Sequence, residues 1–141
     1  MSFELNKKSV FDCTVFELPK ISNRAGNITA INNTSELPFN VERVYYLYDV
    51  PSGVNRGGHA HHALYQYLIA ASGSFDIILD DGINKKIVSL NRPNYGLLIT
   101  PGIWREIINF SSGSICLVLA SEQYNEDDYI RTYDCFKKMK S

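Results

Sequence analysis

At 141 residues the chain has the length of one domain with its own core, and 45% hydrophobic with 21% charged residues is ordinary for a globular protein. A formal net charge of −1, with basic residues scattered apart from Lys137, Lys138 and Lys140, gives no bulk attraction to nucleic acid or to an anionic membrane. No apolar run has the length of a membrane span, the first eight residues lack the apolar centre of a leader, and Cys13, Cys116 and Cys135 form neither a metal knuckle nor a disulfide framework, so a reduced cytoplasm with inert buried thiols is expected.

Val10 to Lys20 reads as a strand, followed by a turn cluster over Ser22–Asn27, a short strand over Ile28–Ile31 and a polar connection from Asn32 to Pro38. Val41 to Val50 is rich in β-branched and aromatic residues, with Arg43, Tyr45 and Leu47 on one face, and Pro51-Ser52-Gly53 breaks it. A histidine-bearing strand follows, then an apolar strand over Leu64–Ala71. Phe75–Leu79 and Lys86–Leu90 flank Asp80-Asp81-Gly82, a hairpin with Asp-Gly turn chemistry. Strands are expected over Gly96–Thr100, halted by Pro101-Gly102, then Trp104–Phe110 and Ile115–Ala120. Glu126 to Lys140 is polar with Tyr129, Ile130, Tyr133 and Phe136 three or four apart, which predicts a short C-terminal helix, its acidic start a solvated face. Many short strands between Gly/Pro/Asn turns make a single all-β domain over residues 1–141, a sandwich or barrel.

Every histidine lies in Arg56-Gly57-Gly58-His59-Ala60-His61-His62. His59 and His61 are two apart, so on a strand both rings meet one cavity, while His62 faces away. Gly58-His59-x-His61, Gln66 and Gly73 resemble the first motif of the cupin barrels, in which two histidines and a glutamate bind a metal. Gly96, Pro101, Arg105 and Asn109 resemble the second, in which a histidine is the fourth ligand. Here Gln66 stands for the glutamate and Arg105 for the histidine. A guanidinium has no lone pair and repels a divalent ion by several kcal/mol in a low-dielectric cavity. The expectation is a cupin, a double-stranded β-helix (jelly-roll) barrel, whose metal site has been converted. Imidazoles move protons near neutral pH, guanidinium binds anions or a developing oxyanion, and Tyr45 adds a phenol. That set suits proton abstraction beside a carbonyl in a phosphorylated substrate.

Arg43-Val44-Tyr45-Tyr46, Arg56-Gly57-Gly58-His59-Ala60-His61, Ile78-Leu79-Asp80-Asp81-Gly82, Pro101-Gly102-Ile103-Trp104-Arg105-Glu106 and Asp128-Tyr129-Ile130-Arg131 resemble the dTDP-4-keto-6-deoxyglucose 3,4-ketoisomerases. The likeness runs from about Ile21 to Phe136. It implies a homodimer with exchanged N-terminal strands, no metal, no organic cofactor and a dTDP-linked keto sugar as ligand. The keto group would move from C-4 to C-3, for a later aminotransferase on the way to a 3-amino-3,6-dideoxyhexose of a bacterial surface glycan. By the same resemblance His59 is the catalytic base, His61 its partner and Tyr45 the phenol near the reacting carbons. Arg43 and Arg56 fit a pyrophosphate. Arg105 sits beside the sugar, where arginine leans towards a gluco product. Arg24-Ala25-Gly26 departs from the Arg-Gly turn of the family, which leaves its contacts open.

Gln66 and Trp104 complete the substrate-binding set, with hydrogen bonding inside the barrel the alternative for Gln66 and core packing the alternative for Trp104. Two other functions stand beside the isomerase: a non-catalytic sugar-nucleotide-binding barrel, and a related 3,5-epimerase. Paired histidines on one face favour an enzyme over a binder.

Overall fold

The computed structural model describes residues 5–33 and 35–141; residues 1–4, the start of the stretch read for leader character, and residue 34 of the polar connection lie outside them. Among the described residues twelve strands and one α-helix are assigned in order: β1 Thr14–Glu17, β2 Ile21–Asn23, β3 Gly26–Ile28, β4 Arg43–Leu47, β5 Arg56–His61, β6 Gln66–Ser72, β7 Phe75–Asp80, β8 Lys85–Leu90, β9 Tyr95–Ile99, β10 Trp104–Ile108, β11 Ile115–Ala120, β12 Tyr129–Ile130 and α1 Tyr133–Lys140. One five-stranded sheet runs β1-β9-β6-β11-β4 and the other β12-β5-β10-β7-β8, every pairing antiparallel. This is the expected all-β cupin-type architecture with a short C-terminal helix.

The inner faces meet in a core of alternating residues. Leu68 and Ala70 of β6, Leu97 and Ile99 of β9 and Val118 of β11 pack against Phe75, Ile77 and Leu79 of β7 and Val88 and Leu90 of β8. A second apolar layer lies on the outer face of the first sheet, where Tyr67, Ile69 and Leu119 are covered by Leu18 and Leu37. That cover explains why β6 reads as a continuous apolar run instead of an alternating one. The interior becomes polar only at one end, where Arg43 and Tyr45 of β4, His59 and His61 of β5, Gln66 of β6 and Arg105 of β10 converge. The strand alternation that builds the core therefore also aims these side chains inward.

Several boundaries differ from the sequence reading. Val10–Asp12 is a 3-10 turn, not strand, because Ser9 and Asp12 form a reciprocal capping box at its start. The Ser22–Asn27 turn cluster is tighter than expected: β2 and β3 form a hairpin about Arg24-Ala25, with Asn23 Oδ1 accepting from the Ala25 N–H. Strand structure therefore ends at Ile28 instead of running to Ile31. The helix expected from Glu126 begins only at Tyr133, capped by Thr132. Glu126–Asp128 is a 3-10 turn, and Tyr129 and Ile130 are a strand paired with His61 and Ala60. Cys13 and Cys116 are buried as expected, but Cys135 is exposed on α1. No helix among the described residues is long and apolar enough to cross a membrane.

Candidate active site

A cavity of about 360 Å³ opens at the polar end, lined among others by Arg43, Tyr45, Arg56, His59, Gln66 and Arg105. Strands β4, β5, β6, β10, β11 and β12 contribute to it. Arg56 owes its place to a bulge. Arg105 lies opposite His59 and Ile107 opposite Arg56, so two steps on β10 span three on β5. Gly57 sits in that bulge at φ +77°, a left-handed conformation that a side chain rarely adopts. Without the extra residue, alternation from His59 would turn Arg56 away from the cavity.

His61 is fully buried behind His59, the two rings edge to face at 4.7 Å. Its Nδ1 lies 3.0 Å from Asp128 Oδ2. A carboxylate only accepts, so Nδ1 carries the proton and Nε2 the lone pair. Asp128 is itself held, its Oδ1 accepting from the Ala63 N–H at 2.8 Å and its backbone carbonyl from the His62 N–H at 3.0 Å. Tyr129 lies against both rings, 5.1 Å from His59 and 4.4 Å from His61. Arg131 stacks 3.9 Å above Tyr129 and also lines the cavity. His59 Nε2, His61 Nε2 and Arg43 Nε are buried with no hydrogen-bond partner among the described residues. Three such atoms in one site mark where a ligand or solvent completes the bonding.

The electrostatics favour neutral bases. Burial, then the Arg105 and Arg131 cations, lower His59 from 6.5 to about 3. Burial also pushes His61 down, with Arg105 and His59 adding to it. Tyr45 is raised, chiefly by burial, and stays protonated. Arg105 is only 2% exposed, and burial lowers it to about 10, so it remains a cation at neutral pH. Its Nε and Nη2 donate to the Ile103 carbonyl and Nη1 to Gln66 Oε1, and no carboxylate among the described residues bonds to it. A buried cation held by neutral acceptors is preorganised for negative charge that develops in the cavity.

Of the residues expected at the site, Arg43, Tyr45, Arg56, His59, Gln66 and Arg105 share the cavity, and His61 stands directly behind it. Trp104 does not. It is next to Arg105 on β10 and so faces the other side, packed with Ala60, Ile130 and Phe136 beneath α1, its Nε1 donating to Glu106. Asp128, Tyr129 and Arg131 belong to the site, although the spacing over Glu126–Lys140 predicts a helix there. Their signal was the Asp-Tyr-Ile-Arg motif itself. A two-residue strand is too short to show a period, and the spacing of Tyr129, Ile130, Tyr133 and Phe136 imitates a helical stripe.

Residues 11–141 match the FdtA family, described as WxcM-like, C-terminal. A TDP-4-oxo-6-deoxy-alpha-D-glucose-3,4-oxoisomerase of Aneurinibacillus thermoaerophilus is 43% identical over 124 residues, 88% of this chain and 89% of that one. Among solved structures, the WlaRB TDP-quinovose 3,4-ketoisomerase of Campylobacter jejuni is 46% identical with a TM-score of 0.86, covering 90% of this chain and 98% of its own. The 3,4-ketoisomerase QdtA of Thermoanaerobacterium thermosaccharolyticum is 38% identical with a TM-score of 0.90, covering 92% and 94%. That structure is a histidine-to-asparagine mutant in complex with TDP-4-keto-6-deoxyglucose.

Proposed function

This chain belongs to the FdtA family of TDP-sugar 3,4-ketoisomerases, and from that membership we propose that it converts TDP-4-keto-6-deoxyglucose to the 3-keto isomer by proton transfer alone. The observation that carries the reading is the convergence of an unprotonated imidazole, a protonated phenol and a buried guanidinium on one cavity. His59 takes the proton from C-3, which the C-4 carbonyl acidifies. Negative charge grows on the C-4 oxygen, where Arg105 and the Tyr45 hydroxyl stabilise it. The C-4 oxygen takes up a proton to give the 3,4-enediol, then O-3 gives up its proton as C-4 gains one, and the carbonyl stands at C-3 beside a hydroxyl at C-4. Atoms and charge balance without an oxidant.

Arg43 and Arg56 suit the diphosphate, since guanidinium pairs bidentately with phosphate oxygens, whereas the Nε and Nη2 of Arg131 are already paired with Glu126. Binding the diphosphate offsets some of the positive field that holds His59 down, so the base strengthens once substrate arrives. Donor chemistry supports a metal-free route. Arg105 faces His59 where a cupin ligand would stand, and Gln66 Oε1 is occupied by Arg105. No group of three His, Cys, Asp or Glu side chains that could hold a metal occurs among the described residues. No organic cofactor is required by a route in which only protons move.

The product is assigned the gluco configuration at C-4, from Arg105 beside the sugar and from the likeness to an enzyme named for TDP-quinovose, a gluco-configured 6-deoxy sugar. A 3-keto product suits a 3-aminotransferase and so an amino-sugar route to a surface glycan, with the enzyme in the cytoplasm. The working unit is assigned as a homodimer. Val44, Tyr46 and Tyr48, at and just beyond the free edge of the first sheet, and Ile21 and Ile28 of the β2–β3 hairpin are all more than half exposed. A row of exposed apolar residues along an edge strand is a surface that a second copy would cover. In this chain β1 pairs with its own β9, so the β2–β3 hairpin is the piece left for exchange.

The test is to incubate the protein with TDP-4-keto-6-deoxyglucose and a 3-aminotransferase, and to examine the trapped amino sugar by NMR. A 3-amino-3,6-dideoxyhexose with an equatorial C-4 hydroxyl is expected. An axial hydroxyl would refute the gluco assignment, and absence of a 3-amino product would refute the ketoisomerase reading.

A further inference from the structure

The geometry points to Gln66 as a positioning residue that sets the direction of the Tyr45 hydroxyl, turning its proton towards the substrate; this rests on the isomerase reading above. Arg105 has donors only, so the Gln66 atom facing its Nη1 is the carbonyl oxygen Oε1. The other end of the amide is then NH2, and Gln66 Nε2 donates to the Tyr45 hydroxyl oxygen at 2.8 Å. With that lone pair engaged from the protein side, the phenol's own proton is left for an acceptor in the cavity that Tyr45 lines. Gln66 is only 2% exposed and clamped at both ends, so the amide cannot flip without setting two donors against each other.

The chain Arg105 to Gln66 to Tyr45 thus runs one way. A cation that cannot accept stands at one end, and a hydroxyl obliged to donate stands at the other. The glutamine is more than a neutral stand-in for a lost metal ligand. A carboxylate there would accept from Arg105 and Tyr45 together, and would draw the phenol proton away from the sugar oxygen.

This yields an order of activities that a structural role does not give. Gln66→Glu keeps the size and both contacts, so simple packing makes it the mildest change. Reversed polarity makes it the worst. Gln66→Met removes both bonds and lets the Tyr45 hydroxyl rotate either way. Turnover of TDP-4-keto-6-deoxyglucose is measured for wild type, Q66M, Q66E, Y45F and the Q66E/Y45F pair. EDTA is present, so that a metal cannot enter the restored two-histidine, one-carboxylate set. Calorimetric TDP binding and thermal melting confirm that each variant is folded and binds nucleotide.

The expected order is wild type above Q66M above Q66E, with kcat of Q66E down about 100-fold or more, the cost of losing one oriented donor. KM should stay within about threefold, and Y45F should add nothing to Q66E, because the phenol is already disengaged. Q66E at or above Q66M, or losses in Q66E and Y45F that multiply, would overturn the role of Gln66 while leaving the isomerase standing. No turnover by the wild type would overturn both.

Discussion

His61 and Asp128 are 67 positions apart in the sequence and 3.0 Å apart in the fold, Nδ1 to Oδ2. The contact ties the histidine strand to the 3-10 turn that leads into β12 and decides which nitrogen of a fully buried ring holds the proton. Asp128 has two donors to satisfy, the His61 ring and the Ala63 N–H.

An asparagine at 128 can accept at only one of those positions. Asp128→Asn should therefore leave a donor opposite an NH2 group. The expected cost is about 1–3 kcal/mol of stability and a fall in kcat of about tenfold to a hundredfold from a mis-set imidazole. Chemical denaturation and steady-state kinetics on one preparation measure both. A variant as active and stable as wild type would show that the contact does not orient His61.

The lowered His59 gives a pH dependence of defined sign. Its folded value, about 3, is below the ordinary 6.5, so between them the unfolded chain binds more protons. Stability is then full above about pH 6.5 and falls as pH drops towards 3, by up to about 1.4 kcal/mol per unit across that window. Melting temperature should decline from pH 6.5 to pH 4, with a shallower slope in His59→Asn.

The same lowering predicts kinetics. The acid limb of kcat/KM, which reports the free enzyme, should lie well below 6.5. The acid limb of kcat should lie above it, because bound diphosphate offsets the arginine field. Coincident limbs would argue against substrate strengthening its own base.

Trp104 makes a prediction about stability. It fills the space between Ala60, Ile130 and Phe136 on the far side of β10 from Arg105. Trp104→Ala should cost about 3–5 kcal/mol through the cavity it leaves, read as a shift in denaturation midpoint. A loss of nucleotide affinity in a fully folded variant would instead return Trp104 to the binding surface.

The exposed row of Val44, Tyr46 and Tyr48 gives an assembly test. Tyr46→Glu places a charge where a second copy would pack, and light scattering should show a shift from dimer to monomer. A wild type that is monomeric at all concentrations would contradict the proposed homodimer.

Sequence reasoning worked where a long period governs. The alternation of Arg43, Tyr45 and Leu47, the Asp80-Asp81-Gly82 hairpin and the two histidines on one face all follow from a strand repeat of two and turn chemistry. It failed where structure depends on distant partners. Trp104, expected in the substrate-binding set with core packing the alternative, is next to Arg105 on β10, faces the opposite way and packs with Ala60, Ile130 and Phe136. Tyr129 and Arg131 were hidden because β12 exists only through its pairing with β5. That Arg56 would line the cavity with His59 needed a bulge at Gly57 that alternation alone cannot foresee.

The most direct measurement uses TDP-4-keto-6-deoxyglucose deuterated at C-3, followed by NMR. The account predicts that the carbonyl moves to C-3 as the deuterium leaves that carbon, and that His59→Asn does neither while still binding TDP. A carbonyl that stays at C-4, or near-normal turnover by His59→Asn, would contradict it.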